Sequence, residues 1–261
     1  LNLDNWNVFL TRFKNPKYKI KIGLVGKYVE LQDSYKSILE SLIHAGAENE
    51  TEVQVISLHS EHLNKENIQE SLKFIDGLIV APGFGERGIE GKITAIKYAR
   101  ENKIPFFGIC LGMQMAVIEY ARNQVGLFDA NSTEMLPNCK IPVIDLMESQ
   151  KKIIKKGGTM RLGAWDCDLI ENTHAADAYS IKSISERHRH RYEFNNDYLD
   201  KIFDENFIVA GTNPDTGLVE IIEYKNHPWF VGVQFHPEYK STVSTPHPLF
   251  KSFVKASLAK K

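Results

Sequence analysis

Two short stretches, 77–81 (GLIVA) and 104–109 (IPFFGI), constrain the fold more than any others. Both are almost wholly apolar, which suits strands of a parallel sheet buried on both faces. Each runs into glycines and then into a helical pattern. The first breaks into Pro82-Gly83-Phe84-Gly85-Glu86-Arg87-Gly88 ahead of a helix predicted to reach Glu101. The second breaks into Cys110-Leu111-Gly112, with a helix predicted over 111–122. Upstream, 18–26 (YKIKIGLVG) alternates Ile20, Ile22 and Leu24 as a first strand. Asp33 is placed to cap a helix in which Tyr35, Ile38, Leu39, Leu42 and Ile43 recur at helical spacing, with Gly46 as its stop. Residues 53–57 read as a second strand and 64–74 as a second helix. Strands alternating with helices imply right-handed crossovers, and so an α/β fold: a doubly wound, mostly parallel sheet with flanking helices.

The second half adds a smaller antiparallel β portion. Strands are predicted over 141–146, 160–169 and 181–192. A polar connection over 151–158 carries Lys151, Lys152, Lys155 and Lys156 as a solvated loop. Residues 207–212, 219–224 and 229–235 follow in hairpin order, with a turn at 213–217, and a helix is predicted over 248–258.

A net charge of −1, from 32 basic and 33 acidic residues, gives no global field for nucleic acid or an anionic membrane. Cys110, Cys139 and Cys167 show no C-x-x-C spacing, which argues against a disulfide framework or zinc site and for a reducing, cytoplasmic setting. No apolar stretch approaches the roughly 20 residues of a membrane span. The chain begins at Leu1 rather than Met, so it is expected to be a piece of something longer.

Ligands of open α/β sheets bind beyond the carboxyl ends of the strands. Cys110 sits at such an end, in Gly108-x-Cys110-x-Gly112, where small neighbours permit the sharp turn that exposes a nucleophile. The N-terminus of the following helix favours the thiolate. Taken alone, the same pattern fits a small buried cysteine whose glycines serve only the turn. A thiolate needs a base and the base an orienter. Of nine histidines, His236 alone stands at a comparable strand end, in Phe235-His236-Pro237-Glu238. Pro237 keeps His236 out of the helical region, so on an extended backbone His236 and Glu238 can project together. The glycine loop after the first run can bring backbone N–H groups to a reacting carbonyl, with the Leu111 N–H beside them. Arg187-His188-Arg189-His190-Arg191 looks like a nucleic-acid patch, but its three arginines share one strand face. A small anionic ligand, or an ion-pair ladder with Glu186 and Glu193, suits the charge balance better.

PGFG, GICLG and FHPE, in that order at three strand ends, resemble the class I (triad) glutamine amidotransferases. The blocks VGKYVELQDSYKSILESL, GFGERGIEGKI, GICLGMQ, NSTEM, GGTMRLG, ERHRHRYEFNN and NHPWFVGVQFHPE are similar, more narrowly, to the glutaminase half of the CTP synthase family. The resemblance runs from about Tyr18 to the end of the chain. It implies a flavodoxin-like sheet and a Cys-His-Glu triad: Cys110 as nucleophile, His236 as general base and acid, Glu238 as its orienter. It implies glutamine contacts at Gly83, Leu111, Gly112, Met113, Gln114, Glu134 and Arg191, with no metal or cofactor in this domain. The substrate is then L-glutamine, hydrolysed through a γ-glutamyl thioester. The ammonia serves a synthetase domain of the same polypeptide that uses ATP and Mg to aminate UTP. GTP enters as an allosteric activator, with Arg87 a candidate contact, and the full-length enzyme is a homo-oligomer, tetrameric by resemblance.

By the same likeness, residues 1–17 are a linker remnant, 18–261 the glutaminase domain, and the N-terminal synthetase domain is missing. One departure stands out: Pro82 replaces a glycine usual in the family, and proline has no N–H to donate to an oxyanion. Two alternatives stay open at this point. One is a free-standing γ-glutamyl hydrolase of the same fold; the other is a silent regulatory domain.

Overall fold

The alternation promised by the apolar runs is built in the first half of the chain. In the computed structural model, which describes residues 3–31, 33–146 and 160–261, that half runs α1 (Asp4–Lys14), β1 (Tyr18–Gly26), α2 (Lys36–Glu48), β2 (Thr51–His59), α3 (Ile68–Leu72), β3 (Gly77–Val80), α4 (Ile89–Glu101), β4 (Phe106–Ile109) and α5 (Leu111–Asn123). The second half supplies β5 (Ala130–Ser132), β6 (Ile141–Leu146), β7 (Arg161–Leu169), α6 (His174–Tyr179), β8 (Ser183–His190), β9 (Tyr192–Phe194), α7 (Leu199–Ile202), β10 (Phe207–Thr212), β11 (Val219–Tyr224), β12 (Phe230–Val233) and α8 (Pro248–Lys260). The loop predicted over 151–158 lies outside the described residues.

The main sheet has nine strands in the order β2-β1-β3-β4-β12-β11-β10-β7-β8, and β5-β6-β9 form a small second sheet. The first five strands are parallel. The last four join antiparallel, so most of the predicted antiparallel portion extends the main sheet instead of standing apart. β3, β4 and β12 are buried at every position, as their unbroken apolar composition requires. One face of the sheet packs on α4 and α5; the other packs on α2 and α8, where Phe107 meets Trp229, Phe250 and Phe253. No described helix is long and apolar enough to cross a membrane.

Local chemistry explains the departures from expectation. Asp33 does not cap α2; Tyr35 holds the N-cap position without a side-chain cap. The Tyr35 hydroxyl instead accepts from the Lys27 N–H at 3.1 Å. Gly46 does not stop α2 but lies within it, because a Cβ there would stand 2.7 Å from the Thr51 carbonyl oxygen. The helix predicted over 64–74 shrinks to α3. Ahead of it, the Asn64 and Asn67 side chains accept from nearby backbone N–H groups and hold a turn. The strand predicted over 181–192 divides at Arg191, so β8 and β9 belong to different sheets.

Candidate active site

Register brings the two sequence-distant motifs together. β4 and β12 pair in parallel with Gly108 opposite Gly232 and Ile109 opposite Val233. Both chains therefore leave the sheet side by side, at the carboxyl end of the parallel strands. The Cys110 N–H donates to the Val233 carbonyl at 2.7 Å. Cys110 then turns sharply into α5 with φ 52° and ψ −103°, a strained conformation for a residue with a side chain. The flanking glycines permit it. A Cβ on Gly112 would stand 2.2 Å from the Val80 carbonyl oxygen, and one on Gly108 would stand 2.8 Å from the Gly112 carbonyl carbon. The thiol sits at the start of α5, where the first N–H groups have no helical partner and the helix dipole favours negative charge.

His236 and Glu238 meet through a different device from the extended strand end that was expected. His236 ends the strand path with ψ 85°, and Pro237–Tyr239 form a 3₁₀ turn. That turn brings Glu238 Oε1 to 2.7 Å from His236 Nδ1. Tyr239 stacks on the imidazole at 5.1 Å, and the His236 N–H donates to the Arg187 carbonyl at 2.8 Å. His236 Nε2 is buried with no hydrogen-bond partner of its own among the described residues. Burial would push the imidazole pKa down, but the charge of Cys110, followed by Glu238, carries it well above its ordinary value. The buried imidazole is therefore drawn toward its charged form between the Cys110 sulfur and the Glu238 carboxylate. The sulfur also accepts from Gln234 Nε2 at 3.7 Å.

The glycine loop lies against this turn. A Cβ on Gly83 would be 3.5 Å from Leu111 Cδ2, so the loop passes close to the first residue of α5. The peptide between Phe84 and Gly85 is held at both ends: Lys27 Nζ donates to the Phe84 carbonyl, and the Gly85 N–H donates to Glu134 Oε1 at 2.8 Å. Burial raises the Glu134 pKa, while the Gly85 N–H, Lys27 and Arg191 act against that. Arg191, at the break between β8 and β9, is thus close enough to act on Glu134.

The remaining predicted contacts are placed less openly. Met113 has its side chain in the core, which leaves its backbone to face the site. Gln114 is buried, and its Nε2 donates to the Tyr192 carbonyl at 2.9 Å and to Gln234 Oε1 at 3.1 Å.

The RHRHR stretch corrects one expectation. In β8, Arg187 and Arg189 point outward while Glu186, His188 and His190 are buried. Among the described residues no ion pair joins Arg187 or Arg189 to Glu186 or Glu193. Glu193 pairs with Arg161 at 3.3 Å, and Glu186 accepts from Tyr179 at 2.9 Å and meets His247 at 3.1 Å. Burial lowers the pKa of both His188 and His190, so they stay neutral beside the Arg161 charge. Arg87, the candidate GTP contact, pairs with Glu61 at 2.8 Å.

A strained cysteine at a helix start, a histidine facing it and a carboxylate orienting that histidine are chemically suited to acyl transfer from an amide. The family model described as glutamine amidotransferase class-I matches residues 30–256. The chain belongs to the class-I glutamine amidotransferases. This amidotransferase is 65% identical over 257 residues to the CTP synthase of Flavobacterium johnsoniae, across 98% of its own length and 48% of that protein's. It is 56% identical over 257 residues to the CTP synthase of Clostridium acetobutylicum, with the same shares covered. The chain spans about half the length of the curated relatives it matches. Among solved structures it is similar to the Trypanosoma brucei CTPS glutaminase domain with bound acivicin. The TM-score is 0.86 at 36% identity, over 93% of this chain and 95% of that one. A Thermoplasma acidophilum protein described as a GMP synthase component shares the fold at TM-score 0.57 and 16% identity, over 92% of this chain and 94% of that one.

Sequence reasoning passed over three residues of this amidotransferase's site. Gln234 is signalled by its place two residues before His236, Lys27 by its place after the last glycine of β1, and Lys92 by a charge on the inner face of α4. Among the described residues no group of three or more His, Cys, Asp or Glu is arranged to hold a metal ion.

Proposed function

We propose that the chain hydrolyses L-glutamine to glutamate and ammonia through Cys110, His236 and Glu238. What supports this reading is their convergence: His236 lies between Cys110 and Glu238, whose Oε1 is 2.7 Å from its Nδ1. Cys110 attacks the side-chain amide carbon as a thiolate, and the imidazolium of His236 gives its proton to the departing ammonia. Water, activated by the then neutral imidazole, hydrolyses the γ-glutamyl thioester. Glu238 holds the tautomer and balances the imidazolium charge.

The tetrahedral oxyanion is met by the Leu111 N–H and by the glycine loop. Pro82 has no donor and the Gly85 N–H is engaged by Glu134, so Gly83 and Phe84 carry the loop's contribution. Losing one such donor costs roughly 10²–10³ in rate. Glu134 suits the substrate's α-ammonium and Arg191 its α-carboxylate. Leu111, Gly112 and Met113 contact glutamine through the backbone, and Gln114 shapes the pocket through Gln234.

In the whole polypeptide, by likeness to the CTP synthases, residues 1–17 link this domain to an N-terminal synthetase domain. There ATP and Mg support amination of UTP by the released ammonia, with GTP as activator, in a cytoplasmic homotetramer. A free-standing hydrolase is not favoured, given the likeness to CTP synthases along nearly the whole chain.

The test is labelling with a glutamine analogue that alkylates active-site cysteines, followed by peptide mapping. A single adduct on Cys110, blocked by excess glutamine, is the expected result. An adduct on Cys139 or Cys167, or labelling indifferent to glutamine, would sink the assignment.

A further inference from the structure

Lys92 is fully buried in the first turn of α4, and its Nζ donates to the Ala81 carbonyl at 2.9 Å. A lysine enters an interior at high cost unless an anion accompanies it. Among the described residues no carboxylate pairs with Lys92. Burial, and after it the like charge of Lys27, bring its pKa down to about 7, and only Cys110 works the other way. An apolar residue of similar length would fill this space without the cost of burying an amine. Its position is specific. Ala81 is the last residue before the glycine loop, and a Cβ on Gly83 would lie 3.8 Å from Lys92 Nζ. Lys27 grips the far side of the same loop at Phe84. The two lysine nitrogens therefore hold the carbonyls of Ala81 and Phe84, with Gly83 between them.

We propose that Lys92 is a positioning residue for amide cleavage: by holding the Ala81 carbonyl from beneath, it sets where the Gly83 N–H meets the developing oxyanion. Lys92 touches neither substrate nor sulfur in this role. The inference rests on the glutaminase reading, and its test separates the two.

Lys92→Met, made in the natural full-length protein, is compared with the parent on three readouts. These are glutamine kcat and KM per titrated site, the rate of Cys110 alkylation by iodoacetamide, and the thermal midpoint. Alkylation needs the thiolate but no oxyanion donor. Expected are a kcat lowered about 10–100-fold, as for loss of a well-placed donor, an alkylation rate and KM within about threefold, and a midpoint equal or raised. A structural lysine would instead lower the midpoint and leave kcat per titrated site unchanged. Unchanged kcat, or kcat and alkylation falling together, overturns the proposal. A parent that forms no glutamate overturns the underlying reading instead. Should Lys92→Met give no folded protein, Lys92→Gln, whose amide falls one bond short of the Ala81 carbonyl, is measured in the same way with the same expected split.

Discussion

Gly112→Ala is the smallest change that the elbow cannot absorb. The added methyl would sit 2.2 Å from the Val80 carbonyl oxygen and 3.1 Å from its carbon, where ordinary contact begins near 3.4 Å. The start of α5 and the end of β3 must then part by about 1.2 Å. Neither side gives easily. Val80 is paired on both sides, with Val25 and Gly108, and α5 begins directly after Cys110, whose N–H is bonded to Val233. Overpacking of this kind costs about 1–3 kcal/mol. Replacing a helical glycine returns about 0.5–1 kcal/mol. The net loss of stability is therefore small and variable.

The rate is the sharper probe, because a misplacement of about 1 Å costs on the order of 100-fold. Glutaminase kcat, normalised to alkylatable Cys110, should fall by about that factor. Gly108→Ala, with a shortfall of about 0.6 Å against Gly112, should fall less. Gly83→Ala is the control for stability, since its methyl would meet nothing nearer than 3.5 Å. A Gly112→Ala enzyme with kcat within about threefold of the parent would refute the argument that backbone contact fixes the nucleophile.

Two further outcomes follow from the site and the fold. Glu238→Gln should lower glutaminase kcat far less than His236→Ala, because an orienter is more dispensable than the base; equal losses in steady-state assays would contradict those roles. Glu223, buried and accepting the His174 and Ala175 N–H groups at 2.8 Å, has its pKa raised by burial to about 7 from an ordinary 4.5. A raised pKa means that its stabilising contribution is complete below pH 4.5 and is lost as pH climbs through about 7. Denaturant unfolding of Glu223→Gln should therefore show a flatter pH dependence than the parent across that window, and parallel curves would refute the assignment.

β3, β4 and β12 were legible because they are buried on both faces, and such strands announce themselves as apolar runs, whereas β1 showed by its alternation. Cys110 stood out as a candidate for a related reason, since it follows such a run directly, and His236 because it closes the strand predicted over 229–235. What the sequence could not show is set by contacts between distant segments. Gly46 looked like a helix stop but is a point of close approach to Thr51. The alternation in RHRHR was visible, but nothing local tells that its histidines turn inward beside Arg161 while the carboxylates find other partners. Lys27 and Lys92 are ordinary charges in a string; their burial and grip on the glycine loop exist only once β1, β3 and α4 are packed.

The place of β12 in the sheet has a consequence for how the molecule comes into being. It is the last of the twelve described strands along the chain, yet it lies in the interior of the sheet, between β4 and β11. A ribosome releases β1 through β4 first, and these can pair as they emerge. Until β12 arrives, the edge of β4 waits for a neighbour and the Cys110 N–H lacks the Val233 carbonyl that anchors the elbow. Only when β12 slots into that gap does His236 arrive opposite the sulfur. On the proposed roles, an unfinished copy carries a cysteine without its base, and amide cleavage is expected only of chains whose central sheet is complete.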